Sequence, residues 1–446
     1  MVDQHGPRAG AGLPRRFVIA ATIGNGLEFY DFITYAFFAI QIGHAFFPSQ
    51  SAYGSLMLSL ATFGAGFITR PLGGLVIGAY ADRVGRKPAM MLSFTMMGAA
   101  IIALALIPSY KTIGVAAPVL AVLARMVQGF SLGGEVGPTT AYLLEAAPLN
   151  RRGLAVSWQG ASQAIAASLG GLVGVGLSMV MGPAALDAYG WRIAFLLGAV
   201  TLPFGLWVRR GLVETLHAPD PTAPKPVARN PIAGIAGAGN GLAVLVENRR
   251  IIVLALLALG AGTISTYGLQ YLTTFAENTL HMAPGVSFLA QTLGNLAAVA
   301  ALLLGGWLSD RLGRRPIMIW PNLAYLILIM PVFFWMVSAR SALVLIAGAV
   351  LLGLMSNLAG GAFFTAVTET LPKRIRSRAF ATIYASSIAL CGGTAQLVIT
   401  WLIQVTGNPM APAWYLLGAT AVGQLALMLI LESAPVKAPL AVAVAT

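Results

Sequence analysis

Apolar runs of about twenty residues, the length that crosses a bilayer as a helix, recur along the whole of this 446-residue chain. Divided at charged or Pro/Gly-rich breaks, they begin near Phe17, Tyr53, Pro88, Gly114, Gly153, Trp191, Ile251, Pro284, Pro316, Ser341, Arg378 and Pro412. Charged residues make up 9% of the chain and hydrophobic ones 58%, against roughly 25% charged in soluble domains. A large water-soluble fold is excluded. The chain reads as an all-α, polytopic membrane protein of twelve transmembrane helices.

Residues 209–250 interrupt the series: they are rich in Pro, Ala, Gly and basic residues and hold no sustained apolar run. They read as a cytoplasmic linker between an N-terminal six-helix bundle (17–208) and a C-terminal one (251–432), with tails at 1–16 and 433–446. A repeat supports the division. "GAYADRVGRK" (Gly78–Lys87) follows the second run and "GGWLSDRLGRR" (Gly305–Arg315) the eighth; aligned Asp82 on Asp310, both read G-x-x-x-D-R-x-G-R-[KR]. A repeat of this kind means two bundles of similar topology.

With the N-terminus inside, 22 of the 27 Lys and Arg fall in inward-facing segments, which places both termini in the cytoplasm. The formal charge of +13 is thereby a topological signal, and nucleic acid is not an expected partner. The N-terminus has no apolar core followed by a small-residue cleavage site, so no removed signal peptide is expected. The single cysteine, Cys391, excludes an intramolecular disulfide and a thiolate metal cage. No cofactor or metal is expected.

"GNGLEFYDF" (Gly24–Phe32) puts two acids, Glu28 and Asp31, into the first apolar run. Three apart, they share a helical face. An ionised acid there costs roughly 2.5–3.5 kcal/mol on insertion scales, and two so close cannot both ionise easily. The pair titrates as a unit and suits a proton carrier, Asp31 first; the alternative is a structural pair salt-bridged to Arg70. Arg70 and Arg125 are the cations deepest in the runs. Each needs an anion, and a guanidinium matches a carboxylate with two parallel hydrogen bonds. Either they bind a substrate bearing two or more carboxylates, or Arg70 pairs with Glu28 or Asp31 and Arg125 with Glu135.

Gln128 and Glu135 share a stripe of the fourth run, Glu135 being a third candidate for proton coupling; Gln159, Ser162 and Gln163 share one on the fifth beside Trp158. Such groups line a wet cavity or hold helices together; Gln128, Gln159 and Gln163 are carried forward as substrate contacts. In the second half, Tyr267, Gln270, Tyr271 and Thr274, with Tyr384 and Ser387, recur at helical spacing. Tyr267 and Tyr271 are the ones assigned to the substrate, the alternative being interfacial anchoring. Asp82, Arg83, Arg86, Lys87 and their counterparts Asp310, Arg311, Arg314 and Arg315 read as ion pairs that break and re-form in gating, joined by Glu369 near "LPKRIRSR". Gly170 and Gly174, four apart, form a small-residue packing face.

The two loops resemble the loop motif of the major facilitator superfamily of secondary transporters. "GNGLEFYDF", "GFITRPLGGLVIGAYADRVGRK", "RMVQGFSLGGEVG" and "YGWRIAFLLG" are similar to its metabolite–proton symporter branch; "IGHAFFPS", "LIPSYKTIGVAAPVL" and "SWQGASQ" resemble citrate and tricarballylate symporters. Pro138 stands where the branch usually has a glycine after "GGEVG". The resemblance implies two six-helix bundles rocking about a central site in the bacterial inner (plasma) membrane. It also implies proton-driven import of a small organic anion, with the bilayer as partner and the monomer as working unit. Other metabolites of the branch (2-oxoglutarate, shikimate, a betaine or proline-type osmolyte) and proton-antiport export stay open.

Enzymatic readings fare worse. "GFSLG" (Gly129–Gly133) fits G-x-S-x-G but lies mid-helix, whereas that elbow needs a strand–turn–helix setting. "GAGNGL" (Gly237–Leu242) lacks the lysine–hydroxyl pair of a nucleotide loop. A transport-dead sensor would carry a signalling domain, for which no length is left.

Overall fold

A computed structural model describes residues 25–26, 29–30, 32–49, 51–84, 86–133, 140, 143–144, 147–210, 249–371 and 376–434. The expected proton acids Glu28, Asp31 and Glu135, Pro138, and the loop Gly237–Leu242 lie outside them. Among the described residues the chain is helical with no strand. Eight helices among the described residues are long and apolar enough to cross a membrane, and Met91–Leu106 and Ala116–Leu132 are shorter apolar ones.

In the first half, α1 ends as Ala39–Phe46, α2 is Ala52–Ile68, α3 Arg70–Val84, α4 Arg86–Leu106, α5 Ala116–Leu132, α6 Arg152–Val180 and α7 Trp191–Arg210. The second half comprises α8 (Arg249–Gln270), α9 (Pro284–Leu312), α10 (Arg314–Ala339), α11 (Ala342–Leu358), α12 (Gly360–Thr370), α13 (Arg376–Ser387), α14 (Gly393–Thr406) and α15 (Ala411–Leu429). The pairs α2–α3, α11–α12 and α13–α14 each form one crossing with a break inside it. From the second crossing on, every start falls within two residues of the position read from the sequence.

The local causes are ordinary. Ser51 and Ser341 cap α2 and α11, accepting from the N–H groups of Gly54 (3.1 Å) and Val344 (3.3 Å). Pro284 opens α9, where a missing N–H costs nothing. Gly313, at φ 100°, turns α9 into α10 in a single residue. Only glycine takes that conformation freely, which accounts for the glycine inside the second D-R-x-G-R.

Within the first half α2 packs on α5 and α4 on α7; within the second, α8 and α10 pack on α15, and α9 on α11. The halves meet along α6 against α9 and α2 against α14. Gly171 and Gly174 of α6 face Thr292 and Phe288 of α9, while Gly170 looks toward Thr34 and Phe37 of the first crossing. The small-residue face is thus split between two neighbours.

The tightest crossing is that of α2 and α3 with α5. A methyl group on Gly129 would overlap the carbonyl oxygen of Gly66, and one on Gly133 that of Arg70. Gly129 and Gly133 are therefore spacers that let two backbones touch, and this contact sets Arg70 beside Arg125. Gly129→Ala is expected to cost several kcal/mol by overpacking, seen as loss of monodisperse protein in detergent. Gly176→Ala, where nothing lies within 4 Å, is expected to leave thermal unfolding unchanged or slightly raised.

Candidate functional site

Arg125 projects from the middle of α5 and Arg70 from the break between α2 and α3; they are 0% and 4% exposed. Both guanidiniums lie against Phe32 of the first crossing, each 4.4 Å from the ring centroid. Phe67 covers Arg70 at 4.4 Å, and Tyr35 and Phe63 cover Arg125 at 4.5 and 5.2 Å. A desolvated cation–π contact contributes about 2 kcal/mol, so two or three per arginine approach the cost of a cation at that depth. Arg125 also donates through Nη1 to Gln128 Oε1 at 2.6 Å. Nε and Nη2 of Arg70 are buried with no hydrogen-bond partner among the described residues.

Next to this box lies a cavity of about 200 Å³ between the halves. It is smaller than the roughly 300–1,000 Å³ of drug-sized pockets and suits a small metabolite. Phe29, Ile33 and Gln163 face it from the first half; the rest of its polar wall, including Gln270, Gln291, Asn295, Asn322 and Asn357, comes from the second. Tyr267 and Tyr384 line it too. Tyr267 is an electrostatic neighbour of both arginines and packs edge-on against Phe67 (5.3 Å) and Phe63 (6.0 Å); Tyr384 is a neighbour of Arg70, Tyr267 and Gln163. The two phenols stand between the cavity and Arg70. Gln163 Nε2 and Gln270 Oε1, a donor and an acceptor, are buried without partners among the described residues. Orphaned polar atoms on a cavity wall call for a ligand or water.

The remaining expected contacts sit elsewhere. Gln159 holds helices together: its side chain accepts from Thr140, and its backbone carbonyl accepts from Asn25 Nδ2 at 3.1 Å. Tyr271 is buried away from the cavity, its hydroxyl accepting from Thr400 at 2.9 Å.

At the end of the molecule where α9 turns into α10, residues read from the sequence as gating meet partners across the halves. Asp310 accepts from the backbone N–H groups of Gly153 (2.8 Å) and Leu154 (2.9 Å), capping α6 from the other bundle. Arg314 donates to the same carboxylate at 2.6 Å and to both oxygens of Glu369 at 3.3 Å. Arg152 approaches Glu369 at 3.8 Å, and Ser433 donates to it at 2.9 Å. Arg315 and Arg311 take other parts: Arg315 donates to Met428 O and, through its N–H, to Glu432, while Arg311 lies 3.9 Å over the Trp307 ring. The side chains of Asp82, Arg83, Arg86 and Lys87 lie outside the described set.

A profile of the Major Facilitator Superfamily matches residues 21–381 and 272–444. The chain belongs to the major facilitator superfamily. It is a membrane transporter, not an enzyme. It is 35% identical over 431 residues to the citrate-proton symporter of Salmonella typhi, covering 94% of each chain. With the glycine betaine/proline/ectoine/pipecolic acid transporter OusA of Dickeya dadantii it shares 31% over 428 residues, 95% of this chain and 84% of that one. The solved structure of a D-xylose-proton symporter superposes with a TM-score of 0.74 at 16% identity, over 95% of this chain and 99% of that one; that likeness concerns the fold.

Arg152, Glu432 and Ser433 escaped the sequence reading of this facilitator. Arg152 offered a signal, as a basic residue opening a helix; Glu432 lies 118 residues from Arg314 and offered none. Burial works to raise the Glu432 pKa, but backbone N–H groups of Ala434, Arg314, Arg315 and Ser433 outweigh it and hold the carboxyl below its ordinary range. This tie therefore contributes fully above the usual glutamate range and is lost as pH falls through the depressed value. For the gate, Asp310→Asn is expected to speed maleimide labelling of a cysteine at Ser157, which is 1% exposed, in a Cys391→Ser background. Arg311→Ala is expected to leave that rate unchanged.

Proposed function

We propose that this facilitator is a proton-coupled symporter that imports a small di- or tricarboxylate, such as citrate or tricarballylate, by alternating access across the bacterial inner membrane, with both termini in the cytoplasm. One observation carries the reading: among the described residues Nε and Nη2 of Arg70 are buried without a hydrogen-bond partner, beside Tyr267, which itself faces the cavity. A guanidinium held ready in this way is a carboxylate ligand, two parallel hydrogen bonds being its natural geometry. The citrate-proton symporter relative supports the same class of cargo.

In this scheme Glu28 and Asp31, with Glu135 in support, take up a proton from the outer side. Phe32, the residue after Asp31, lies against both arginines, so charge at that point of the sequence is felt by the pair. A substrate carboxylate reaches Arg70 once Tyr267 swings aside, and Gln163 and Gln270 satisfy its remaining polar groups. The Asp310–Arg314–Glu369 cluster breaks as the inner end opens, and solute and proton leave together. The monomer suffices, since both halves of the site lie on one chain.

A second reading has its own support. Among the described residues the cavity wall bears no charged side chain and several aromatic ones, a lining that also fits a zwitterion of the betaine or proline type, as carried by a relative. Uptake of labelled citrate, tricarballylate, 2-oxoglutarate, shikimate and betaine into vesicles with an imposed pH gradient separates the two. A carboxylate is expected to accumulate, and Asp31→Asn to abolish its accumulation. Arg70→Lys is expected to raise the half-saturation concentration about tenfold or more. Accumulation of betaine alone, unaffected by Arg70→Lys, overturns the first reading in favour of the second.

A further inference from the structure

At the end of the molecule opposite the Asp310 cluster, the first crossing meets the end of the seventh. Gln41 of α1 donates through Nε2 to Glu277 Oε2 at 3.3 Å, joining the two halves. Glu277 lies in a π-helical turn, Phe275–Thr279, that continues α8; such turns recur at functional sites. Two acceptor atoms at this contact, Gln41 Oε1 and Glu277 Oε1, are buried with no hydrogen-bond partner among the described residues. A carboxylate facing an amide leaves the amide oxygen unmet, because the carboxylate has no donor. A protonated carboxyl supplies the missing one: Glu277 O–H to Gln41 Oε1, reciprocal with Gln41 N–H to the other oxygen.

We propose that Gln41 and Glu277 form a second proton-binding site, complete only when the halves meet at this end. Resting on the alternating-access symport reading, it adds a latch that takes up one proton from water as the outer gate shuts over its cargo. The proton forms an O–H bond on Glu277 and is released when that end reopens. In the parted state the carboxylate is hydrated and holds its proton weakly; in the closed state the acceptor pair favours the protonated form. Closure and protonation are therefore linked.

The charged surroundings act in the same direction. Among the described residues no Lys or Arg pairs with Glu277. Asp187, on the turn after α6, repels its charge and is itself paired with His44 Nδ1 of α1 at 2.8 Å. His281 follows on the connection to α9, and the first turns of α9 carry no titratable side chain. As pH rises, His44 loses its charge, Asp187 is less compensated, and an ionised Glu277 is pushed further toward water.

Phe38 stacks at 4.9 Å on Phe288, and Thr292 of α9 is 1% exposed against Gly171 of α6. A cysteine at Thr292, in full-length protein carrying Cys391→Ser, is thus reached by an impermeant maleimide only when this end parts. In proteoliposomes without substrate, the labelling rate, divided at each pH by that of the same cysteine in unfolded protein to remove the intrinsic thiolate dependence, is expected to be low near about pH 5 and at least roughly fivefold higher near about pH 8. Glu277→Gln, whose amide makes the reciprocal pair at any pH, is expected to keep labelling slow and flat. Gln41→Ala is expected to raise labelling throughout and blunt the pH response. A parent rate independent of pH, or a Glu277→Gln variant that responds to pH as the parent does, overturns the proposal. The measurement involves no solute, so failure of every organic anion to be taken up counts against the symport reading and leaves this result standing.

Discussion

Two permanent cations buried in an apolar bundle are the constraint to which the first half answers. Neither Arg70 nor Arg125 can shed its charge, so the surroundings must accept it. Phe32 lies against both, and Phe67, Phe63 and Tyr35 close the remaining faces. This arrangement requires α2, α3 and α5 to approach to backbone contact, which is why glycines occupy Gly66, Gly129 and Gly133. The box neutralises part of the cost, and among the described residues Nε and Nη2 of Arg70 stay without a hydrogen-bond partner.

The two ends of the molecule use different chemistry for closing. At the α9–α10 turn, ions meet ions and helix termini: Asp310 caps α6 while holding Arg314, which holds Glu369. At the opposite end a single acid meets an amide and an aromatic pair, Phe38 and Phe288. That contact is the one proposed to take up a proton. A carrier that must open one end at a time gains from such asymmetry, because conditions that loosen one seal need not loosen the other.

Much of the architecture was legible in the residues. Helix starts were found because caps, prolines and charges mark the points where a chain leaves the membrane, as at Ser51, Pro284 and Arg314. The second copy of the repeated loop was informative because Asp310, Gly313 and Arg314 each have a local geometric duty. The site was only half legible. Arg70, Gln163 and Tyr267 were named because ionisable or polar groups in apolar runs are conspicuous, and they cluster at the cavity. Tyr271 and Gln159 carry the same local signal, yet hold helices together, since periodicity gives a face and not the neighbour across it. Glu277 drew no notice: it follows an apolar run at the point where a chain returns to water, and only its pairing with Gln41, 236 residues away, sets it apart.

The cavity is lopsided. Apart from Gln163, its amide-bearing wall, from Gln270 to Asn357, belongs to the second half, whereas the buried guanidiniums belong to the first. Recognition of shape and the handling of charge are thus borne by different stretches of the polypeptide, in separate hydrophobic surroundings. On the proposed reading, exchanging a few of those asparagines or glutamines would change which nutrient is accepted while leaving the buried guanidiniums untouched.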